Sequence, residues 1–127
     1  MSDATKPRRT RRTAKQAGAS FERLIADHLA TELNDDRIDR RPKRGANDRG
    51  DIGGVKFLGH RVVIECKDVS KLNLPGWLRE AEVERGNDDA LIGVVVHKKR
   101  GTAKAAEQYV TLTVDTLVKF LQAGVRG

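Results

Sequence analysis

The segment Arg61-Val62-Val63-Ile64-Glu65-Cys66-Lys67 constrains the fold of this chain more than any other. Its β-branched run predicts a largely buried strand. Glu65 and Lys67 alternate with Ile64 and Cys66, so both charges project from one face and Cys66 from the other. Unpaired charges are costly to bury. The strand therefore either lies at an edge with one solvated face or carries a charged site. Asp51 precedes Glu65 by fourteen positions, on the extended segment before it. Two carboxylates and an amine on adjacent strands suit hydrolysis of a phosphodiester. The carboxylates can hold a divalent cation, and the amine can orient the attacking water and offset charge that builds on the phosphate.

The register between the two strands can be derived from the turn that joins them. If Leu58-Gly59-His60 is a three-residue loop with Gly59 left-handed, Phe57 pairs with Arg61, Gly53 with Glu65 and Asp51 with Lys67. Asp51 and Glu65 are then diagonal neighbours, with Cβ atoms roughly 7 Å apart, close enough to share one ion. Gly53 leaves open space opposite Glu65, where an ion and a phosphate could enter. A two-residue loop breaks this registry.

The rest of the chain supports one modest domain. It has 127 residues, 38% of them hydrophobic, with few aromatics, so Val, Ile and Leu must fill the core. A net charge of +7 points to a polyanionic partner, most simply nucleic acid. The charge is clustered. Residues 1–15 carry Lys6, Arg8, Arg9, Arg11, Arg12 and Lys15, and residues 37–49 carry Arg37, Arg40, Arg41, Lys43, Arg44 and Arg49. A third cluster is His97-Lys98-Lys99-Arg100. Each is either a solvated segment or a DNA contact, and three together favour DNA. The lone Cys66 excludes an intramolecular disulfide and a multi-cysteine zinc site. No apolar run reaches transmembrane length and no secretion signal is visible, so an intracellular soluble protein is expected.

Residues 1–15 lack apolar periodicity and read as a flexible basic arm, leaving 16–127 as the folded domain. Phe21, Leu24, Ile25, Leu29 and Leu33 predict a helix over 18–33, capped by Ser20 or starting earlier, near Gln16. Glu22 lies at the edge of its apolar stripe, as a surface ion-pair residue or a site residue. His28 lies near the middle, as a partly buried, hydrogen-bonded histidine. A stop at Asn34-Asp35-Asp36 leads to a short strand over 37–41, then a basic loop from Pro42 to Gly50. Strands are expected over 52–57 and 61–68, and a helix from Leu74 or Pro75 to a left-handed cap near Gly86-Asn87. Leu91–His97 is the most apolar strand. Gln108–Val114 and a helix capped by Asp115 or Thr116, closed by Gly124, complete the order α-β-β-β-α-β-β-α.

In this order of elements the chain resembles the PD-(D/E)XK nucleases, and more narrowly the archaeal-type Holliday junction resolvases, which also occur in phages. The resemblance runs over residues 16–121. It rests on Gly18-Ala19-Ser20-Phe21-Glu22 in the first helix, the basic loop Arg37–Arg49, Asp51-Ile52-Gly53-Gly54-Val55, Glu65-Cys66-Lys67, and the strand Val94-Val95-Val96-His97-Lys98-Lys99. It implies a restriction-endonuclease-like α/β core with a mixed central sheet flanked by helices. It also implies a metal site of Asp51, Glu65 and the Cys66 carbonyl, with Lys67 positioning water and Glu22 completing the site directly or through water. Magnesium is the implied cofactor, with manganese as a substitute. Cys66 alternates away from this face and is expected in the core. The family often places a polar residue on the next helix. Glu80, Glu82 and Glu84 compete for that role, and Glu80 matches best by its distance from Gly86. The family's hydroxyl residue in the basic loop has no counterpart between Arg37 and Asp51.

The expectation is a magnesium-dependent endonuclease of branched DNA, foremost four-way junctions, in the cytoplasm of a prokaryotic cell or phage-infected host, and the resemblance implies that it acts as a homodimer. Its DNA contacts are expected from Arg8, Arg9, Arg11, Arg12, Lys15, Arg41, Lys43, Arg44, Arg49, Lys98, Lys99 and Arg100. Two other readings stay open: a nuclease of the same chemistry on flapped, nicked or linear duplex DNA, and a non-catalytic basic DNA-binding module.

Overall fold

A computed structural model describes residues 9–126, with side chains to residue 125. The first helix, α1 (Arg11–Glu32), starts earlier than its apolar stripe. Its N-terminus is fixed by Thr10, whose side-chain oxygen accepts the Thr13 N–H at 3.1 Å. Residues 11–15 are thus helical, and the helix crosses the expected boundary between arm and domain at residue 16 without a break. Residues 1–8, which include Arg8, lie outside the described residues. The helix stops where Asn34 turns left-handed, at φ 50°. His28 is half-buried on its flank.

Among the described residues, six strands and three α-helices form a mixed α/β architecture around an open sheet. The strands are β1 (Asp39–Arg40), β2 (Ile52–Gly53), β3 (Lys56–Phe57), β4 (His60–Lys67), β5 (Ile92–His97) and β6 (Tyr109–Thr111). The helices after α1 are α2 (Leu74–Asn87) and α3 (Val114–Arg126). The sheet runs β1-β2-β4-β5-β6, with β3 paired to β4 off this path. Only β4 and β5 are parallel among the pairs, and they are joined by α2. Asn73 accepts the Gly76 N–H to start α2, and Asp89, at φ 50°, stands past its end where Gly86-Asn87 was expected to carry the left-handed cap.

The β3–β4 turn differs from expectation. Phe57 pairs with His60, so the loop has two residues, Leu58 and Gly59, both at positive φ as a type I′ turn requires. The Val62 N–H donates to the Val55 carbonyl, yet Ile52 pairs with Ile64. One extra residue is therefore absorbed on the first strand. Gly54 absorbs it at φ 86°, breaking the expected 52–57 strand into β2 and β3. Two register changes, one at the turn and one at the bulge, bring Asp51 directly opposite Glu65 rather than diagonal to it. The space over Gly53 is filled: a Cβ there would overlap the Arg41 side chain.

Each face of the sheet has its own core. Phe21, Ile25 and Ala26 of α1 pack against Ile52, Ile64, Cys66, Val94 and Val96. On the other face, Trp77 and Ala81 of α2 cover Val95. Phe120 of α3 stacks on Phe57 at 4.2 Å between ring centroids. The opposite side of α3 is uncovered. No helix among the described residues is long and apolar enough to cross a membrane.

Candidate active site

Four carboxylates that the fold buries, Glu22, Asp51, Glu65 and Glu84, gather around the C-terminal half of β4. Each comes from a different element. Glu22 is carried on the buried stripe of α1 beside Phe21. Asp51 lies just before β2, and its N–H donates to the Ile64 carbonyl at 2.8 Å. Its Oδ2 accepts the Cys66 N–H at 2.7 Å, which sets the carboxylate against the Cys66 peptide. Glu65 projects from β4 toward α2. Glu84 shares the buried stripe of α2 with Trp77 and Ala81.

Two lysines thread this cluster. Lys67 Nζ lies 3.3 Å from Glu65 Oε2 and 2.9 Å from Glu80 Oε2. Lys43, expected at the DNA surface, has a side chain 59% exposed, and its ammonium ends on the cluster. Its Nζ donates to Asp51 Oδ1 and lies 3.0 Å from Glu22 Oε2. Arg40 Nε completes Glu22 at 3.2 Å. With every group ionised, the carboxylates of Glu22, Asp51, Glu65, Glu80 and Glu84 face the cations of Arg40, Lys43 and Lys67, leaving two negative charges unmatched.

Protonation equilibria register that surplus. Burial raises the Glu65 pKa well above the usual carboxylate range, and the charges of Asp51 and Glu84 push it further. Burial likewise raises Glu84, a hydrogen bond with Glu65 offsets part of that, and the charges of Asp51 and Glu80 add to the rise. Burial opposes the Lys67 charge, but the hydrogen bond to Glu80 and the charge of Glu65 outweigh it, so Lys67 stays an ammonium. The same balance, won by Asp51 and Glu22, holds Lys43 charged. Glu65 Oε1 and Glu84 Oε1 are buried and receive no N–H or hydroxyl donor, the two carboxyl groups meeting each other instead. A carboxylate oxygen in that state costs free energy that a cation would recover. The oxygen-only donor set fits a hard divalent ion.

The structure thus brings Glu22, Asp51, Glu65 and Lys67 into one cluster. On α2 it separates the three competing glutamates. Glu80, favoured by spacing, pairs with Lys67, while Glu82 faces outward in an ion pair with Arg85. Glu84 is the one buried against Glu65. The sequence signal was present: Glu84 stands seven residues after Trp77 and three after Ala81, on the same helical face. Lys43 had no such signal within its run of loop cations. The Cys66 thiol is buried in the α1-side core, where burial and then the Asp51 charge push its pKa up.

The basic clusters border the site, although many of their side chains have partners within the chain. Arg9 and Arg100 converge on Asp68, immediately after Lys67, at 3.5 Å and 2.9 Å. Arg41 spans to buried Asp88 at 3.2 Å and donates to the Arg49 carbonyl. Lys98 Nζ donates to the Thr102 carbonyl, and Lys99 stands over the Tyr109 ring. Arg11, Arg12, Lys15, Arg44 and Arg49 are exposed. The chain matches no protein-family model, no curated protein and no solved structure in these comparisons.

Proposed function

We propose that this protein is a divalent-cation-dependent DNA endonuclease with a restriction-endonuclease-like core, acting on branched DNA, foremost four-way junctions. The observation that carries the reading is the buried cluster of Asp51, Glu65, Glu22 and Glu84 beside the charged Lys67, bordered by Arg9, Lys43 and Arg100 from the three basic segments. The order of strands supports it: Asp51 and Glu65-Cys66-Lys67 face each other across an antiparallel pair, and a helix returns to a parallel strand. The resemblance to the PD-(D/E)XK nucleases names Glu22, Asp51, Glu65 and Lys67 among them, and leaves the α2 position to Glu80, Glu82 or Glu84.

Asp51, Glu65 and the Cys66 carbonyl would hold the ion, with Glu22 close by. Magnesium, or manganese in its place, would supply Lewis-acid polarisation of a phosphoryl oxygen and a bound water of lowered pKa. Lys67, held as an ammonium, can only donate, so it orients a water or offsets phosphate charge and does not act as a base. The exposed cations of α1 and the 42–50 loop would hold the DNA backbone. Two-fold symmetry of a homodimer suits two related cuts in a junction.

The test is cleavage of a labelled four-way junction, flap, duplex and single strand with and without magnesium. Magnesium-dependent cutting favouring the junction supports the reading, and preference for flap or duplex moves the substrate while keeping the chemistry. D51N and E65Q should each lower cleavage by at least roughly 100-fold, the scale for loss of one electrostatic contact to a transition state. Both should leave junction binding within about threefold, because neither removes a basic contact. No cutting of any of these substrates, with junction binding intact, would leave only the binding-module reading.

A further inference from the structure

We propose that the chain binds a second divalent cation, on Glu65, Glu80 and Glu84, beside the one assigned to Asp51, Glu65 and the Cys66 carbonyl. Glu80 and Glu84 stand one turn apart on α2 and face the same stretch of β4. One carboxylate oxygen from each of Glu65, Glu80 and Glu84 lies within 4.8 Å of the others. Glu65 is 6% and Glu84 8% exposed, and the Oε1 atom of each receives no N–H or hydroxyl donor, so the two buried carboxyl groups face each other with no cation between them. Lys67 occupies Glu65 Oε2 and Glu80 Oε2, so its ammonium leaves those inner oxygens unserved. No cationic side chain pairs with Glu84 among the described residues.

An ion has a way in. A cavity of about 410 Å³ opens onto Glu80 and Glu84, with Asp48, Arg79 and Asn87 on its walls. Asn87 Nδ2 donates to the Ala46 and Asp48 carbonyls at 2.9 and 2.8 Å, which fixes the 45–48 turn as the far wall. The donors are all carboxylate oxygens, so the ion is of the magnesium and manganese class, not zinc. Paired ions sharing a carboxylate are the arrangement that clamps both the attacking and leaving oxygens of an in-line displacement. The inference rests on the proposed function only through the shared Glu65. Glu80, Glu84 and the cavity belong to neither Asp51 nor Cys66.

Manganese binding to the metal-free full-length protein, without DNA, tests it. Isothermal titration gives affinity, electron paramagnetic resonance counts free ion, and thermal melts check that each variant is folded. The wild type should bind two ions per chain. E84Q and E80Q should each lose one or weaken it by about tenfold or more, while D51N loses the other. If E84Q fails to fold, E80Q carries the test, because Glu80 is half exposed. Glutamine variants that bind as many ions as wild type with unchanged affinity overturn the proposal, whatever D51N does. A D51N protein that keeps the wild-type count, while E84Q loses an ion, supports the α2 site and removes the Asp51 assignment instead.

Discussion

Asp51 holds two partners at once, and they pull toward different outcomes. Its Oδ2 accepts the Cys66 N–H, which ties the carboxylate to β4, while its Oδ1 takes the Lys43 ammonium. Lys43 also reaches Glu22, so it stands where two carboxylates would otherwise repel each other or share an ion. K43A removes that internal counter-charge. The metal-free variant should melt below wild type, and its manganese affinity should rise several-fold as Glu22 and Asp51 turn to the ion. Titration calorimetry reads both the sign and the size, and weaker manganese binding in K43A would show that the ammonium assists the ion instead of competing with it. None of this was legible from sequence, because a lysine among six cations in a loop has no periodicity to say which way it points. Glu65 was legible, because a charge inside a β-branched run is locally costly.

At the level of elements, the long β-branched segments announced themselves and the short ones did not. β4 and β5 lie where Val62–Cys66 and Ile92–Val96 put them, since such runs gain most from burial on both faces. The start of α1 was missed because Arg11-Arg12-Thr13-Ala14-Lys15 has no apolar stripe. Helix-forming residues and the Thr10 cap suffice there, without packing. The hairpin register was missed because it depends on two local backbone choices, the turn at Leu58-Gly59 and the bulge at Gly54. The turn gives a test. Leu58 stands at φ 51°, a region that suits Asn far better than a branched aliphatic residue. Its side chain is 53% exposed, so little packing is lost on replacement. L58N, which creates an Asn-Gly type I′ turn, should stabilise the protein by roughly 1 kcal/mol. Denaturant unfolding measures it, and a loss of stability would mean that Leu58 packs in solution.

The molecule as a whole carries its charge surplus into its pH dependence. The folded pKa of Glu65 is pushed up to about 10 from the ordinary 4.5, with Glu84 shifted the same way. Between those values the folded state binds more protons than the unfolded chain, so stability falls as pH rises. His97 works in the opposite direction, since burial lowers its pKa, but its gain is complete above the ordinary 6.5. Melting temperatures of the metal-free protein should therefore decline from about pH 7 to pH 9, and magnesium, binding only the folded state, should flatten that decline. A metal-free stability that is level or rising across this range would mean that the cluster is better compensated than its geometry implies.

Assembly is the other property of the whole molecule. Val114, Leu117, Val118, Leu121 and Val125 form an exposed apolar stripe along α3, beside exposed Tyr109 and Val110 on β6. This is the surface that best supports the proposed homodimer. Light scattering on a sizing column should give twice the chain mass of 14.1 kDa for wild type and a single chain for L121E. A wild type that runs as one chain would remove the dimer from the proposed function. α3 contributes no residue to the carboxylate cluster, whose members end at Glu84. The surface proposed for association and the cluster proposed for reaction therefore occupy separate stretches of the chain, and mutation can reshape one without disturbing the other.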